Sequence, residues 1–321
     1  MSDVELRDRY RVEVPGGGLD VHDLTSPAVL LEGAATPNVV LALHGITANG
    51  LTWQPVASAL GRTSAGPTRF LAPDLRGRAG SRDVTGPWGL PAHVDDVLAM
   101  ADAFGAQNFT LVGHSMGAFV AALAAARHPD RVRSVVLVDG GFAFPVPPDL
   151  DVDAALQAVI GPVMERLSMR FADADAYLDF WREHPALGPL FDGPAGGALQ
   201  AYLMHDLVSQ GGALASTCVL DAVRADGADV LFDAEVHAGA RTAAGAGIPV
   251  EFLWAQRGLL DEPRGLYDEQ RLAALRLPED VRVTGIPGTN HYSVVLGRLG
   301  AGQVAAAIAR VSGVGKQPAQ T

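Results

Sequence analysis

The chain has 321 residues, 48% of them hydrophobic, enough for one large α/β domain with an insertion or for two domains. Its formal net charge of −12, with no basic stretch to neutralise phosphates, excludes nucleic acid as an expected partner. The single cysteine, Cys218, excludes an intrachain disulfide and a cysteine-based metal site. No run of about 18 apolar residues suggests a membrane span. Residues 1–11 are charged throughout and lack the apolar core of a secretion signal, so a cytoplasmic protein is expected.

In chain order, Gly16-Gly17-Gly18 comes first. No helix pattern follows it, so it reads as a turn and not as a dinucleotide fingerprint. Residues 38–43 (Asn-Val-Val-Leu-Ala-Leu) and 69–72 (Arg-Phe-Leu-Ala) read as buried strands. Val94, Val97, Leu98, Ala101 and Phe104 mark an amphipathic helix entered through Pro91. Residues 108–112 form a further buried strand, followed by a helix carrying Ala118, Phe119, Ala122, Leu123 and Ala126. Pro129 ends that helix, with Arg127 and His128 in its last turn. Residues 132–138 are the next strand. This β-α-β-α alternation predicts an α/β fold, a mostly parallel central sheet with helices on both faces.

The pattern changes after Pro145-Val146-Pro147-Pro148. Helical spacing dominates from Val152 to Met164, with a predicted kink at Gly161-Pro162, and again around 175–181 and 199–207. Nothing convincingly strand-like lies between about 144 and 247. Residues 144–247 therefore read as a helical cap inserted into a core built from 1–143 and 248–321. The small-residue stretch 238–247 reads as a flexible return to the core. Strands resume at 249–254 and 281–286, and a final helix presents Val304, Ala307, Ile308 and Val311 on one face. The tail 313–321 is expected to be disordered.

The motif that carries chemistry is Gly113-His114-Ser115-Met116-Gly117, a G-x-S-x-G between a predicted strand and a predicted helix. Its glycines permit a tight turn. The turn lifts the serine hydroxyl out of the sheet, and the new helix aims its first amides at developing negative charge. A serine needs a base to take its proton, and the base needs an orienting partner. His291 follows the last strand, in Pro287-Gly288-Thr289-Asn290-His291-Tyr292, and precedes the last helix.

On these residues the chain resembles the α/β-hydrolases. Three further segments are similar to that family. His44-Gly45-Ile46 after a strand matches its HG-x oxyanion segment. The run Asp74-Leu75-Arg76-Gly77-Arg78-Ala79-Gly80-Ser81 resembles its D-x-R-G-x-G-x-S turn. Arg127-His128-Pro129-Asp130-Arg131-Val132 resembles the link beyond the nucleophile helix. The resemblance implies Ser115 as nucleophile, His291 as general base and then general acid, and the backbone N–H groups of Ile46 and Met116 as oxyanion hole. It implies no cofactor. In most of the family the acid stands after the strand that follows the cap, at the position of Gly258 here. This chain departs from that pattern, leaving Asp261 three residues on, or Asp139 at the end of the strand after the nucleophile helix. Asp139 is preferred because it stands directly at a strand end.

The other candidates carry plainer readings. His114 supports the turn, and His44 orients the oxyanion segment. His22, His93, His128, His184, His205 and His237 show no paired ligand spacing, so no metal is expected. Met164, Met169, Phe171, Tyr177, Phe180, Trp181, Phe191, Tyr202 and Met204 read mostly as cap core, a few of them as pocket lining, with Trp53 as a further pocket candidate. Cys218 has no basic neighbours that would make it reactive. The expected activity is hydrolysis of an ester or lactone bond of a small, largely apolar molecule through an acyl-enzyme. Hydrolysis of a carbon–carbon bond in a ring-cleavage product and non-catalytic small-ligand binding remain the alternatives. Oligomeric state is open.

Overall fold

The computed structural model describes residues 8–26, 38–63, 66–143, 151, 154, 157, 161 and 165–313. The proline-rich break at 145–148, Pro162 of the predicted kink and the tail beyond 313 lie outside the described residues. Strands β1 (Asp8–Val14), β2 (Gly17–Asp23), β3 (Asn38–Leu43), β4 (Thr68–Pro73), β5 (Phe109–His114), β6 (Val132–Val138), β9 (Val250–Arg257) and β10 (Arg282–Asn290) form one eight-stranded sheet in the order β1-β2-β4-β3-β5-β6-β9-β10. From β4 to β10 every neighbouring pair is parallel. β1 and β2 add an antiparallel edge.

This edge hairpin has no counterpart in the elements expected from sequence. Its signal is the alternation Val12, Val14, then Leu19, Val21 across the glycine turn, a period of two that a half-buried hairpin demands.

The same period places the inner strands. Leu41, Leu43, Leu111, Val135 and Leu137 face one apolar cluster with helices α2 (Leu90–Ala103) and α3 (Met116–Arg127). Val40, Ala42, Val112, Val136 and Val138 face a second cluster with α1 (Gln54–Leu60) and α10 (Arg298–Gly313). A strand buried on both faces needs apolar residues at every position, which is why these runs read as continuous rather than alternating.

The inserted stretch differs from a purely helical cap. Helices α4 (Ala174–Arg182) and α5 (Gly196–His205) are present as expected, but an antiparallel pair follows them, β7 (Leu207–Gln210) with β8 (Ala213–Ser216). Helix α6 (Leu220–Phe232) comes next. The stretch expected to be a flexible return is helix α7 (Ala234–Gly245), whose Val236, Ala240, Ala243 and Ala244 are buried in the α2–α3 cluster. Small residues there serve close helix packing rather than flexibility. At Gly239 an added Cβ would stand 3.0 Å from the Leu123 backbone nitrogen. Most of the insertion's aromatics are core, as expected: Phe171, Tyr177, Trp181 and Phe191 are buried in the second cluster. So is Trp53, fully buried and tilted against Phe70, which corrects its reading as a pocket residue. Met204, Leu220 and Phe232 of the insertion are exposed. No helix among the described residues is long and apolar enough to cross a membrane.

The α7–α3 contact yields a test. Gly239→Leu forces a side chain into backbone atoms that cannot yield, so it should lower unfolding stability by about 2 kcal/mol or more. Urea denaturation of the variant checks this; an unchanged midpoint would mean that α7 does not seat on α3.

Candidate active site

Ser115 sits between β5 and α3 with φ 55° and ψ −121°, a left-handed conformation that a non-glycine residue adopts only under constraint. Its N–H donates to the Val138 carbonyl (2.9 Å), and its own carbonyl accepts from Ala118 N (3.0 Å). The surrounding glycines are required by contact. A Cβ at Gly113 would lie 2.1 Å from the Gly117 carbonyl oxygen, one at Gly117 would lie 2.2 Å from that of Leu43, and one at Gly140 would lie 2.2 Å from that of Ser115.

Asp139 directly follows β6, and His291 follows β10. Each stands at the C-terminal edge of a parallel strand, where open α/β sheets gather their ligands. His291 Nδ1 lies 2.6 Å from Asp139 Oδ2. The other carboxylate oxygen accepts from Ala255 N (3.1 Å). Asp139 is fully buried and is held at φ 47° by its N–H bond to Leu253 O (2.8 Å). An ionised Asp139 makes Nδ1 the donor, which leaves Nε2 of His291 free to accept a proton. Asp261 lies elsewhere. It pairs with Arg257 (2.8 Å) and accepts from Asn290 Nδ2 (3.0 Å), about one-third exposed. Of the two candidate acids, Asp139 is therefore the one on His291.

His114 is structural in its contacts, as expected. Its Nε2–H donates to the His291 carbonyl (2.8 Å), tying the histidine loop to the serine turn. Burial lowers its pKa well below the ordinary range, so it adds no charge beside His291.

The His44-Gly45-Ile46 segment lies against the serine: a Cβ at Gly45 would stand 3.7 Å from Ser115 Oγ. Met116 is the first residue of α3, where N–H groups have no intrahelical acceptor. The segment's shape is set by His44, whose Nδ1–H donates to the Gly45 carbonyl (2.8 Å) while Nε2 accepts from Leu75 N (2.9 Å). Both bonds require the neutral imidazole. Burial agrees, lowering its pKa to about 3. A second brace is Arg78, whose Nε donates to the Ile46 carbonyl (3.0 Å) and whose Nη1 pairs with buried Asp226 of α6 (2.6 Å). Single-sequence reading misses this brace, because its two halves lie far apart in the chain. The only local signal is that Arg78 falls inside the D-x-R-G-like run.

That run also holds Arg76 in a bidentate pair with Asp96 (2.7 and 2.5 Å). Above the site, Arg166 pairs with Asp206, reaches the Thr47 carbonyl (3.3 Å) and lies over the Trp181 ring. Asp206 also accepts from Tyr177 Oη (3.1 Å) and Thr217 Oγ1 (2.7 Å). Cys218 is half-buried, with its thiol pushed up to about 11 by desolvation, which suits an inert side chain.

With this geometry, the comparisons with known proteins are specific about fold. Residues 38–175 match the family model described as alpha/beta hydrolase fold. The structure of E-2-(acetamidomethylene)succinate hydrolase superposes with a TM-score of 0.67 at 22% identity, over 95% of this chain and 98% of that one. The chain has the α/β-hydrolase fold. Among curated proteins it is 36% identical over 111 residues to "Lipase LipV" of Mycobacterium tuberculosis, covering 35% of this chain and 40% of that one. It is likewise 36% identical over 114 residues to the 2-hydroxymuconate semialdehyde hydrolase of Pseudomonas putida, covering 35% and 40%. The chain thus spans about two-fifths of the length of these relatives.

The buried neutral imidazoles make stability depend on pH. The unfolded chain binds a proton at His44 near 6.5, and the folded chain refuses it until about 3. The unfolded state therefore gains protons first as pH falls, and stability drops across that window. His114 acts in the same direction. The urea midpoint should be clearly lower at about pH 5 than at about pH 7, above the range where carboxylates contribute. A flat profile would mean that these imidazoles are not held neutral.

Proposed function

We propose that the chain is a serine hydrolase that cleaves an ester or lactone bond of a small, largely apolar substrate through an acyl-enzyme. The reading rests on one observation above others: a serine in a strained strand-to-helix turn shares a sheet edge with an imidazole whose Nδ1 is capped by a buried carboxylate. Ser115 Oγ attacks the carbonyl carbon while His291 Nε2 takes its proton. The Ile46 and Met116 amides receive the oxyanion, each such donor contributing roughly 3 kcal/mol of barrier lowering. The carbon–oxygen bond to the leaving group breaks as His291 returns the proton to it. A water, deprotonated by His291, then cleaves the acyl-enzyme and regenerates Ser115. Asp139 holds the productive tautomer and balances the imidazolium. The chain's own groups suffice for every step, so no cofactor is invoked.

The small-molecule substrate and a cytoplasmic setting are part of the same proposal. They are supported by the acidic balance and the single cysteine. Similarity to a 2-hydroxymuconate semialdehyde hydrolase favours a second reading, hydrolysis of a carbon–carbon bond with the same residues. A coloured dienoate offered beside aryl esters separates the two by which one turns over.

Pre-steady-state hydrolysis of a short-chain p-nitrophenyl ester tests the route. Wild type should release a burst of about one equivalent of nitrophenol, and Ser115→Ala none. Equal rates in both would remove Ser115 as nucleophile and leave a ligand-binding protein. Asp139→Asn should lower kcat by about 10³–10⁴ through the wrong imidazole tautomer. Asp261→Asn, at a partly exposed ion pair, should change it by no more than about twofold. The reverse order would reassign the acid.

A further inference from the structure

The run from Asp74 to Ser81 contains a cluster that the proposed reaction does not use. Asp74 follows β4 and is fully buried. Its Oδ1 lies 3.2 Å from Nε2 of His22, on neighbouring β2, and its Oδ2 lies 2.7 Å from Nε2 of His205, the last residue of α5. The two rings meet nearly edge to face, 5.0 Å between centroids, with both Nε2 atoms turned to the carboxylate. One donor atom from each residue falls within 4.8 Å of the others.

We propose that His22, Asp74 and His205 form a binding site for one divalent transition ion of the zinc class, joining the inserted cap helix α5 to the sheet. Three features carry the assignment. Two imidazoles and one carboxylate are a donor set that suits zinc, copper, nickel or iron and not the all-oxygen preference of calcium or magnesium. Three protein ligands leave a fourth position for water, the pattern of an open tetrahedral site. The carboxylate is also held from outside, as metal-ligating carboxylates are. Gly50 N donates to Oδ1 (2.9 Å), Gly80 N donates to Oδ2 (3.0 Å), and Asp74 N is fixed on the Asp20 carbonyl (2.8 Å).

Ions and hydrogen bonds compete for the same atoms here. Each imidazole now turns an Nε2 toward Asp74. An ion replaces those contacts, taking the Nε2 lone pairs while the ring protons reside on Nδ1. His22 Nδ1 is buried with no hydrogen-bond partner among the described residues, so it is unoccupied and can take the ring proton that leaves Nε2. Donor atoms around a tetrahedral ion stand about 3.3 Å apart, so the present spacing needs an adjustment of roughly an ångström. His205 can supply it. Its side chain is 18% exposed, against 1% for His22, so it is the ligand with room to shift and the route from solvent. The three residues are 52 and 131 positions apart in pairs with Asp74, which is why no local ligand spacing announces them.

The test uses the full chain stripped of metal with a chelator. Titration with Co²⁺ should develop visible d–d absorption that saturates at one equivalent, and Zn²⁺ should bleach it with a micromolar or tighter dissociation constant. Zn²⁺ should also raise the melting temperature, since it binds only the folded arrangement. His205→Gln keeps an amide donor for Asp74 but loses the imidazole. It should weaken binding at least about tenfold, equivalent to 1.4 kcal/mol. His128→Ala, at the far end of α3, should bind as wild type does. Circular dichroism of His205→Gln separates loss of a ligand from loss of the fold, and His22→Gln is the second variant if it does not fold. Absence of saturable binding at one equivalent, or binding unchanged by both glutamine variants, would overturn the proposal and leave a hydrogen-bonded cluster only.

Discussion

The arrangement depends on one steric constraint: four backbone segments meet around Ser115 with no room for side chains between them. Gly113 faces Gly117, Gly117 faces the carbonyls of Leu43 and His44, and Gly140 faces the carbonyl of Ser115 itself. Approaches of about 2 Å from a virtual Cβ leave only glycine. This contact draws the ends of β3, β5 and β6 into one point. It holds the His44-Gly45-Ile46 segment against the Ser115 hydroxyl and sets Asp139 beside the neighbouring strand. The strain at Ser115 and Asp139, both at positive φ, is sustained by these contacts and by the sheet hydrogen bonds flanking them.

Around that point, buried polar groups are sorted by charge state. His44 and His114 are held neutral by desolvation, and each turns one ring nitrogen into an obligatory donor to a carbonyl. Asp74 and Asp226 are held ionised, well below the usual carboxylate range, by imidazole and guanidinium partners against the opposing cost of burial. The result is directional. His44, with a fixed partner on each ring nitrogen, cannot flip, and His114, held neutral beside His291, leaves the field there to Asp139. The Asp226–Arg78 pair steadies the His44-Gly45-Ile46 segment through the Ile46 carbonyl. Removing one member would leave a buried charge uncompensated, which is costlier than never having built the pair.

Much of this was legible in the chain. Ser115, His291 and the G-x-S-x-G setting follow from residues adjacent in sequence, and β3 and β6 coincide with their apolar runs residue for residue. Of Asp139 and Asp261, the strand-end position favours Asp139 in the sequence, and Asp139 is the one in contact with His291. What escaped is what distance in sequence hides. The β1–β2 hairpin pairs with β4 across some 50 residues, and its alternation is short. The Arg78–Asp226 brace and the Asp74 cluster each join residues from separate elements, and no periodicity encodes such meetings. Helix α7 was misread for another reason. Alanine and glycine at 238–246 signal flexibility in a loop and close packing in a helix, and only the partner surface, here α3, decides between them.

The inserted segment is constrained differently from the sheet edge. Ser115 and Asp139 are fixed by backbone geometry, which tolerates almost no variation and so marks the sequence strongly. The cap contributes side chains instead. Phe171, Tyr177, Trp181 and Phe191 pack among themselves and against the sheet, and Arg166 with Asp206 closes over the Thr47 carbonyl beside the oxyanion segment. Apolar packing of this kind conserves volume rather than identity, and many residue combinations satisfy it. The polar exceptions are less interchangeable. The Arg166–Asp206 pair is one of them, because its buried charges have fixed partners and removing either member would leave the other uncompensated.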